Sequence, residues 1–418
     1  MTARGEVDGP HHGAETTVAP RGIGLIAAGV ALFAVGIGFA SAPLVLIGAT
    51  ALAAVGVSAA WIALHALALR RRVTAVTREI VPGTLSAGTA GEVTVSVGLG
   101  GGLARSLRLR EQAAAELTGG DATRAVISRR PRAIELRYAL SPVRRGRWLL
   151  GPALARSADP FGLAWSDRAL GEARQVTVWP RVVDLAASAG ELMGSADRAH
   201  AGARTPAADD ASLRDYRDGD DLRRVHWASS ARRGTLVVRS EEQQGRTTAT
   251  VLLALPPSRG ALEWAISAAA SVALSVIEAG HPVRLIAGAQ ESGTLDAFGR
   301  AADGARVRLL DSTVDLQAPA STTESDRLLV AGAARIDPGH RDVVVAVMEP
   351  AGSTAVTALA RLGEGGRAWA MVRSSLAARA RAERTVEQLR AAGWHAIHTL
   401  EPEPIESAWA RLLAEAAA

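Results

Sequence analysis

The chain is predicted to be multidomain: two N-terminal transmembrane helices, a β-sandwich-like strand domain, and a C-terminal α/β domain. Three observations predict this. Residues 22–69 hold no Asp, Glu or Arg; residues 73–180 break into short alternating stretches bounded by turn residues; beyond Arg246 short apolar runs alternate with longer helical patterns. With 418 residues and 48% hydrophobic content, the chain can bury more than one core.

Residues 1–21 carry no periodic pattern and are expected to be a disordered N-terminus. The apolar run that follows, GIGLIAAGVALFAVGIGFASAPLVLIGATALAAVGVSAAWIALHALAL, is roughly twice the ~20 residues that one span requires. Pro43 breaks it near the middle, giving helices over about 22–41 and 44–69 in a hairpin that closes at residue 72. Ala40-Ser41-Ala42 has the form of a signal-peptide cleavage site, but Pro43 follows directly and a second apolar span continues at once. Arg4 and Arg21 precede the first helix and Arg70, Arg71 and Arg72 follow the second, which predicts that both ends face the cytoplasm. The pairs Ala34/Gly38, Ala49/Ala53 and Gly56/Ala60 have the small-xxx-small spacing that lets helices approach. His65 lies near the cytoplasmic end beside Trp61, and no acidic residue in the spans could form a proton relay with it.

In 73–180 the pieces EVTVSVGL, AIELRYAL, GRWLLGPAL and RQVTVWP read as strands, and SADPFGL as a turn. Residues 181–211 are rich in Ala, Gly and Ser and are expected to be a linker or mobile loop. Residues 212–246 form a charged segment, and 247–418 the α/β domain. There TATVLLAL, HPVRLIAG, DVVVAVM, RAWAMV and WHAIHTL read as strands, with ALEWAISAAASVALSVIEAG and SSLAARARAERTVEQLRAAG as helices. Such alternation implies a mostly parallel sheet covered on both faces.

All 47 basic residues are Arg, and 42 acidic residues are interspersed among them, so the formal charge is only +5. No segregated basic surface of the kind a nucleic-acid binder uses is evident. The absence of Cys excludes disulfides, thiolate metal sites and Cys nucleophiles.

Charge concentrates in RDYRDGDDLRRVHWASSARRGTLVVR, residues 214–239. Asp220 is placed to cap a short helix that Gly234 ends, and Thr235–Arg239 reads as a strand. An enzyme would use Asp220, Asp221 and His226, with Glu241 or Glu242, as acid/base or metal groups, although the neighbouring arginines oppose cation binding. A nucleic-acid site would use Arg214, Arg217, Arg223, Arg224, Arg232 and Arg233 on phosphates with Tyr216 and Trp227 stacking, although Asp215, Asp218, Asp220 and Asp221 repel the same phosphates. A structural network of Arg–Asp pairs anchored by Trp227 needs neither. The HExxH, GxSxG and P-loop signatures are absent, and His395 and His398 sit in a strand pattern on opposite faces.

Arg214, Tyr216, Gly219, Asp220, Asp221, Arg223, Val225 and Trp227, followed by Ser230, Ala231, Arg232, Gly234, Leu236, Val238 and Arg239, resemble the signature of the domain of unknown function 58 family of bacterial membrane proteins. RRGRWLLGP at 144–152, DPFGL at 159–163 and VTVWP at 176–180 resemble its upstream pattern. The resemblance implies a membrane hairpin, a strand-rich domain and a von Willebrand factor A-like (Rossmann-like) C-terminal domain, in the bacterial cytoplasmic membrane. It also implies partnership with a MoxR-type AAA+ ATPase in assembling or maturing envelope complexes. It brings no enzymatic activity and no cofactor. A metal-binding A domain carries Asp-x-Ser-x-Ser after its first strand; Pro256-Pro257-Ser258-Arg259-Gly260 stands here, so no metal is expected at that loop. The expectation is a membrane-anchored, non-enzymatic adaptor.

Overall fold

The computed structural model describes residues 15–100, 107–120, 125–186, 189–194, 213–215, 230–231, 234–235, 237–239, 247–295, 300–337, 342–364 and 367–417. They form two compact units, Met1–Trp179 and Pro180–Ala418.

The first unit opens with β1 (Glu15–Val18), which pairs antiparallel with β9 (Ala164–Leu170). The end of the segment expected to be disordered is therefore an edge strand; the β-branched run Thr16-Thr17-Val18 suits that pairing. Helices α1 (Pro20–Gly38) and α2 (Ala42–Arg72) follow, both long and apolar enough to cross a membrane. Two of the expected small residues are not at the contact between these helices: an added Cβ at Gly38 or Gly56 would meet nothing within 4 Å. The contact uses Gly29 and Gly36 of α1, which with Gly22 are buried at a seven-residue spacing; Gly22 instead faces Leu163 and Val18. On α2, a Cβ at Gly48 would come within 2.6 Å of the Phe33 backbone nitrogen, so the helices touch backbone to backbone.

Two sheets complete this unit. One has β2 (Val73–Val81), β4 (Gly91–Leu99), β7 (Ala133–Leu140) and β6 (Val126–Arg130) in that order. The other runs β1, β9, β8 (Gly146–Ala158), β10 (Arg174–Trp179), β3 (Leu85–Ser86), with β5 (Arg108–Ala113) pairing to β8 and the one-turn α3 (Ala115–Thr118) after β5. Alternate residues of β4, from Val93 through Val95 and Val97 to Leu99, turn into a core shared with Leu136, Leu140, Leu150, Val176 and Val178. Within this interior Arg78 Nε donates to Glu111 Oε1 at 2.6 Å, with side chains only 7% and 2% exposed. Arg78 Nη1 also donates to the Glu172 carbonyl at 2.9 Å. Gly151, at φ +91°, lies against this guanidinium, where a Cβ would sit 2.8 Å from Arg78 Nη2. Burial pushes the Glu111 carboxyl up, opposed by Arg78, and pushes the Tyr138 phenol up, reinforced by Glu111.

The second unit begins with residues 181–194, the described part of the segment whose composition suggests a linker. They are held against α4 (Arg259–Glu278): Ser267 Oγ donates to the Arg181 carbonyl, and the Val183 and Leu185 amides donate to Ser271 Oγ and Ser275 Oγ at 2.9 and 3.2 Å. Four helical residues rise about 6 Å and two extended residues about 6.6 Å, so serines four apart meet backbone groups two apart. Leu185, Ala189, Leu192 and Met193 are buried.

The remaining strands are β11 (Leu213–Asp215) and β12 (Val237–Arg239), then β13 (Ala249–Leu253), β14 (Val283–Ala287), β15 (Gln290–Glu291), β16 (Val343–Met348), β17 (Ala368–Ser374) and β18 (His395–Leu400). The sheet order is β15-β14-β13-β16-β17-β18, parallel except for the β15 edge. Helices α5 (Arg300–Val314), α6 (Thr322–Ala333), α7 (Ser353–Gly363), α8 (Arg379–Ala391) and α9 (Ile405–Ala417) join α4 around it. β13 and β16 are buried at every position, as strands covered on both faces must be. Although α4 is apolar enough to span a membrane, 83% of its most apolar window is buried, which makes it a core helix.

Candidate functional site

The charged segment leaves and rejoins the chain through β11 and β12, which pair antiparallel with Leu213 opposite Arg239, Arg214 opposite Val238 and Asp215 opposite Val237. This two-stranded sheet is separate from the six-stranded one. Ser230 and Ala231 are helical and Ser230 is buried; the Gly234 amide donates to the Ser230 carbonyl at 2.9 Å. Gly234 has φ +71° and open space where a Cβ would be, so backbone conformation alone calls for glycine, as expected of a helix-ending residue. Arg214 sits in β11. Tyr216, Gly219, Asp220, Asp221, Arg223, His226, Trp227 and Arg232 lie outside the described residues, and with them the expected Asp220 cap.

A second cluster gathers at the carboxyl ends of the parallel strands, where doubly wound sheets place their ligand crevices. After β13, Ser258 accepts from the Ala261 amide at 3.3 Å and so caps α4. The Ser325 hydroxyl donates to the Leu255 carbonyl at 2.7 Å, and the Gly352 amide donates to Asp326 Oδ2 at 3.1 Å, which pins the loops after β13 and β16 to α6. At the end of β17 the Arg373 side chain is 12% exposed and pairs with Glu401 at 3.1 Å, just past β18. Its guanidinium lies 4.8 Å from the centre of the Trp264 ring. Arg373 Nε and Nη1 have no hydrogen-bond partner among the described residues.

Burial lowers the Arg373 pKa, opposed by Glu401 and Glu349, and arginine remains charged at neutral pH. Glu349, just past β16, is pushed up by burial, with Glu401 reinforcing the shift and Arg373 and Arg381 opposing it. The cluster can present a charged fork and a carboxyl that holds its proton more tightly than a free glutamate does. Sequence reasoning missed it, and the available signal was a charged residue directly after each apolar strand: VVVAVM-Glu349, AWAMV-Arg373 and HTL-Glu401.

His395 stacks on Trp369 with ring centres 5.5 Å apart, and His398 Nε2 lies 2.8 Å from Ser374 Oγ. Ser374 is 2% exposed, so this pair braces β17 against β18 beneath the surface and is not an accessible nucleophile and base. Among the described residues no group of three or more His, Asp or Glu is arranged to hold a metal ion.

No curated protein matches the chain. Residues 212–349, from the start of the β11–β12 neck through β16 to Glu349, match the family model described as protein of unknown function DUF58.

Proposed function

We propose that this chain is a membrane-anchored, non-enzymatic adaptor: α1 and α2 hold it in the bacterial cytoplasmic membrane, with both termini and both soluble portions in the cytoplasm. Segment 216–236 docks a MoxR-type AAA+ ATPase there, for the assembly or maturation of envelope complexes. The observation that carries this reading is the neck. β11 and β12 pair with each other, and among the described residues neither joins the six-stranded sheet, so the two ends of the signature segment are joined by a ladder of their own. A segment rich in arginine and aspartate whose ends are joined in this way is suited to charge-directed recognition of another protein. The arginines at the end of α2 support the orientation. A von Willebrand factor A-like fold for the second unit is supported by its largely parallel sheet with an antiparallel edge strand. The reading is tested by crosslinking the full-length protein to the ATPase in cells, with the motif intact or altered at Asp220 or Arg223.

A further inference from the structure

The DPFGL turn between β8 and β9 has no part in the docking reading, yet it is built with care. Asp159 is buried at its root: Oδ2 accepts from the Phe161 amide and Oδ1 from the Ala164 amide, both at 2.9 Å. Burial alone would raise the Asp159 pKa; the backbone amides of the turn that donate to it hold it below the ordinary carboxylate range. Gly162 turns the chain at φ +70°, and Leu163 is buried at the other root. Held between these roots, Phe161 is 66% exposed. A single exposed ring needs no partner by itself, so what Phe161 faces is decided by where this hydrogen-bonded turn is held in the unit.

The turn's place in the first unit identifies that neighbour. The Ala19 amide donates to the Leu163 carbonyl at 2.7 Å, and Gly22 of α1 packs against the same carbonyl. Ser58 of α2, 1% exposed, lies beside Asp159. At ~1.5 Å per residue, Gly22 to the end of α1 at Gly38 and Ser58 to the start of α2 at Ala42 each span about 24 Å. Both helices therefore put the turn at the same height above the hairpin tip. A hydrocarbon core is about 30 Å thick, so that height falls within a few ångströms of its near boundary. Trp61, one helical turn beyond Ser58, is 45% exposed, and beyond it the α2 backbone accepts from Arg168 Nη1 of β9 at the Ala66 carbonyl. Arginine binding the helix backbone there marks where the polar side begins.

We propose that the 159–163 turn is a membrane-contact element: Phe161 enters the boundary of the bilayer beside α1 and α2, forming with Trp61 an aromatic belt that fixes the strand unit against the lipid surface. The proposal rests on the reading of α1 and α2 as spans. Aromatic side chains favour this depth, and a turn hydrogen-bonded to the base of the first helix cannot move independently of it.

The chain contains no cysteine, so a single introduced thiol gives a unique label. A nitroxide is placed on the full-length protein at Phe161→Cys, and in separate samples at Phe33→Cys within α1 and at Thr89→Cys in the turn between β3 and β4, beside the end of β2 away from α2, in vesicles of phosphatidylethanolamine and phosphatidylglycerol. Collision with oxygen is compared with collision with a water-soluble nickel chelate. The expected result is an oxygen-to-nickel ratio at 161 several-fold above that at 89 and approaching that at 33. A ratio at 161 equal to that at 89, with 33 showing depth, would overturn the proposal while leaving the spans intact. Water-like ratios at both 33 and 161 would overturn it through the anchor instead.

Discussion

The strand unit closes its interior around an ion pair, Arg78 with Glu111, whereas the α/β unit closes around small apolar side chains. In the sandwich, Arg78 Nη2, Glu111 Oε2 and the Tyr138 hydroxyl are buried without a hydrogen-bond partner among the described residues. In the α/β unit, Val251, Val345, Ala346, Ala370 and Ala396 of the sheet and Ala268, Ala269, Ala270 and Ala273 of α4 are fully buried. An alanine-rich helix can lie close to a sheet of valine and alanine, and dispersion over many close contacts replaces bulky side chains. The same alanine-rich composition thus yields one interior sensitive to charge and another sensitive to volume.

The sharpest way to break this comparison is Glu111→Ala, which strands the Arg78 guanidinium in the sandwich. A loss of about 3–5 kcal/mol is expected in chemical unfolding of the first unit, while Arg78→Met with Glu111→Leu together should stay near the parent, because the pair itself contributes little net stability. A single variant no less stable than the parent would show that the pair is not effectively buried. In the second unit the matching change is one of volume: Leu359, fully buried in α7, when replaced by alanine should cost about 2–5 kcal/mol in the unfolding of that unit alone. Equal destabilisation of both units would erase the contrast.

The smallest effect concerns His398. Burial lowers its pKa, Arg379 and Arg411 add to this, and Glu383 and Glu403 oppose it. A histidine that resists protonation in the folded state contributes stability above its unfolded pKa of about 6.5 and loses it as pH falls from there toward the depressed folded value. Unfolding of the second unit between pH 7.5 and 5 should therefore show a small acid-side loss that His398→Gln removes; an unchanged pH profile in that variant would assign the loss elsewhere.

What was legible in the sequence follows from the same contrast. Alternation in EVTVSVGL marked the inward face of β4, and the uninterrupted apolar runs marked β13 and β16, because burial on one face or two writes directly into residue order. The Gly234 helix end was legible because its conformation is local. The Arg78–Glu111 pair was not, since it joins strands of different sheets. Nor was the Glu349–Arg373–Glu401 cluster, which exists only once three parallel strands lie side by side. Residues 181–194 looked like a linker because the segment they open is rich in Ala, Gly and Ser, and the backbone of 181–185 is held by three serines on α4 that leave no mark on the segment itself; the buried Leu185, Ala189, Leu192 and Met193 were the signal that composition hid. In the hairpin, the small-residue spacing of four pointed away from the seven-residue glycine repeat that α1 buries.

The central claim is that the charged segment between β11 and β12 is a docking surface for another protein. It is tested most directly by crosslinking the full-length protein in cells, comparing the parent with Asp220→Ala and Arg223→Ala after thermal unfolding shows that all three fold. The expected result is a crosslink to an AAA+ ATPase in the parent that is lost in both folded variants, with membrane insertion unchanged. Folded variants that retain the crosslink at the parent's yield would contradict the claim and leave the segment as an ion-paired structural lock.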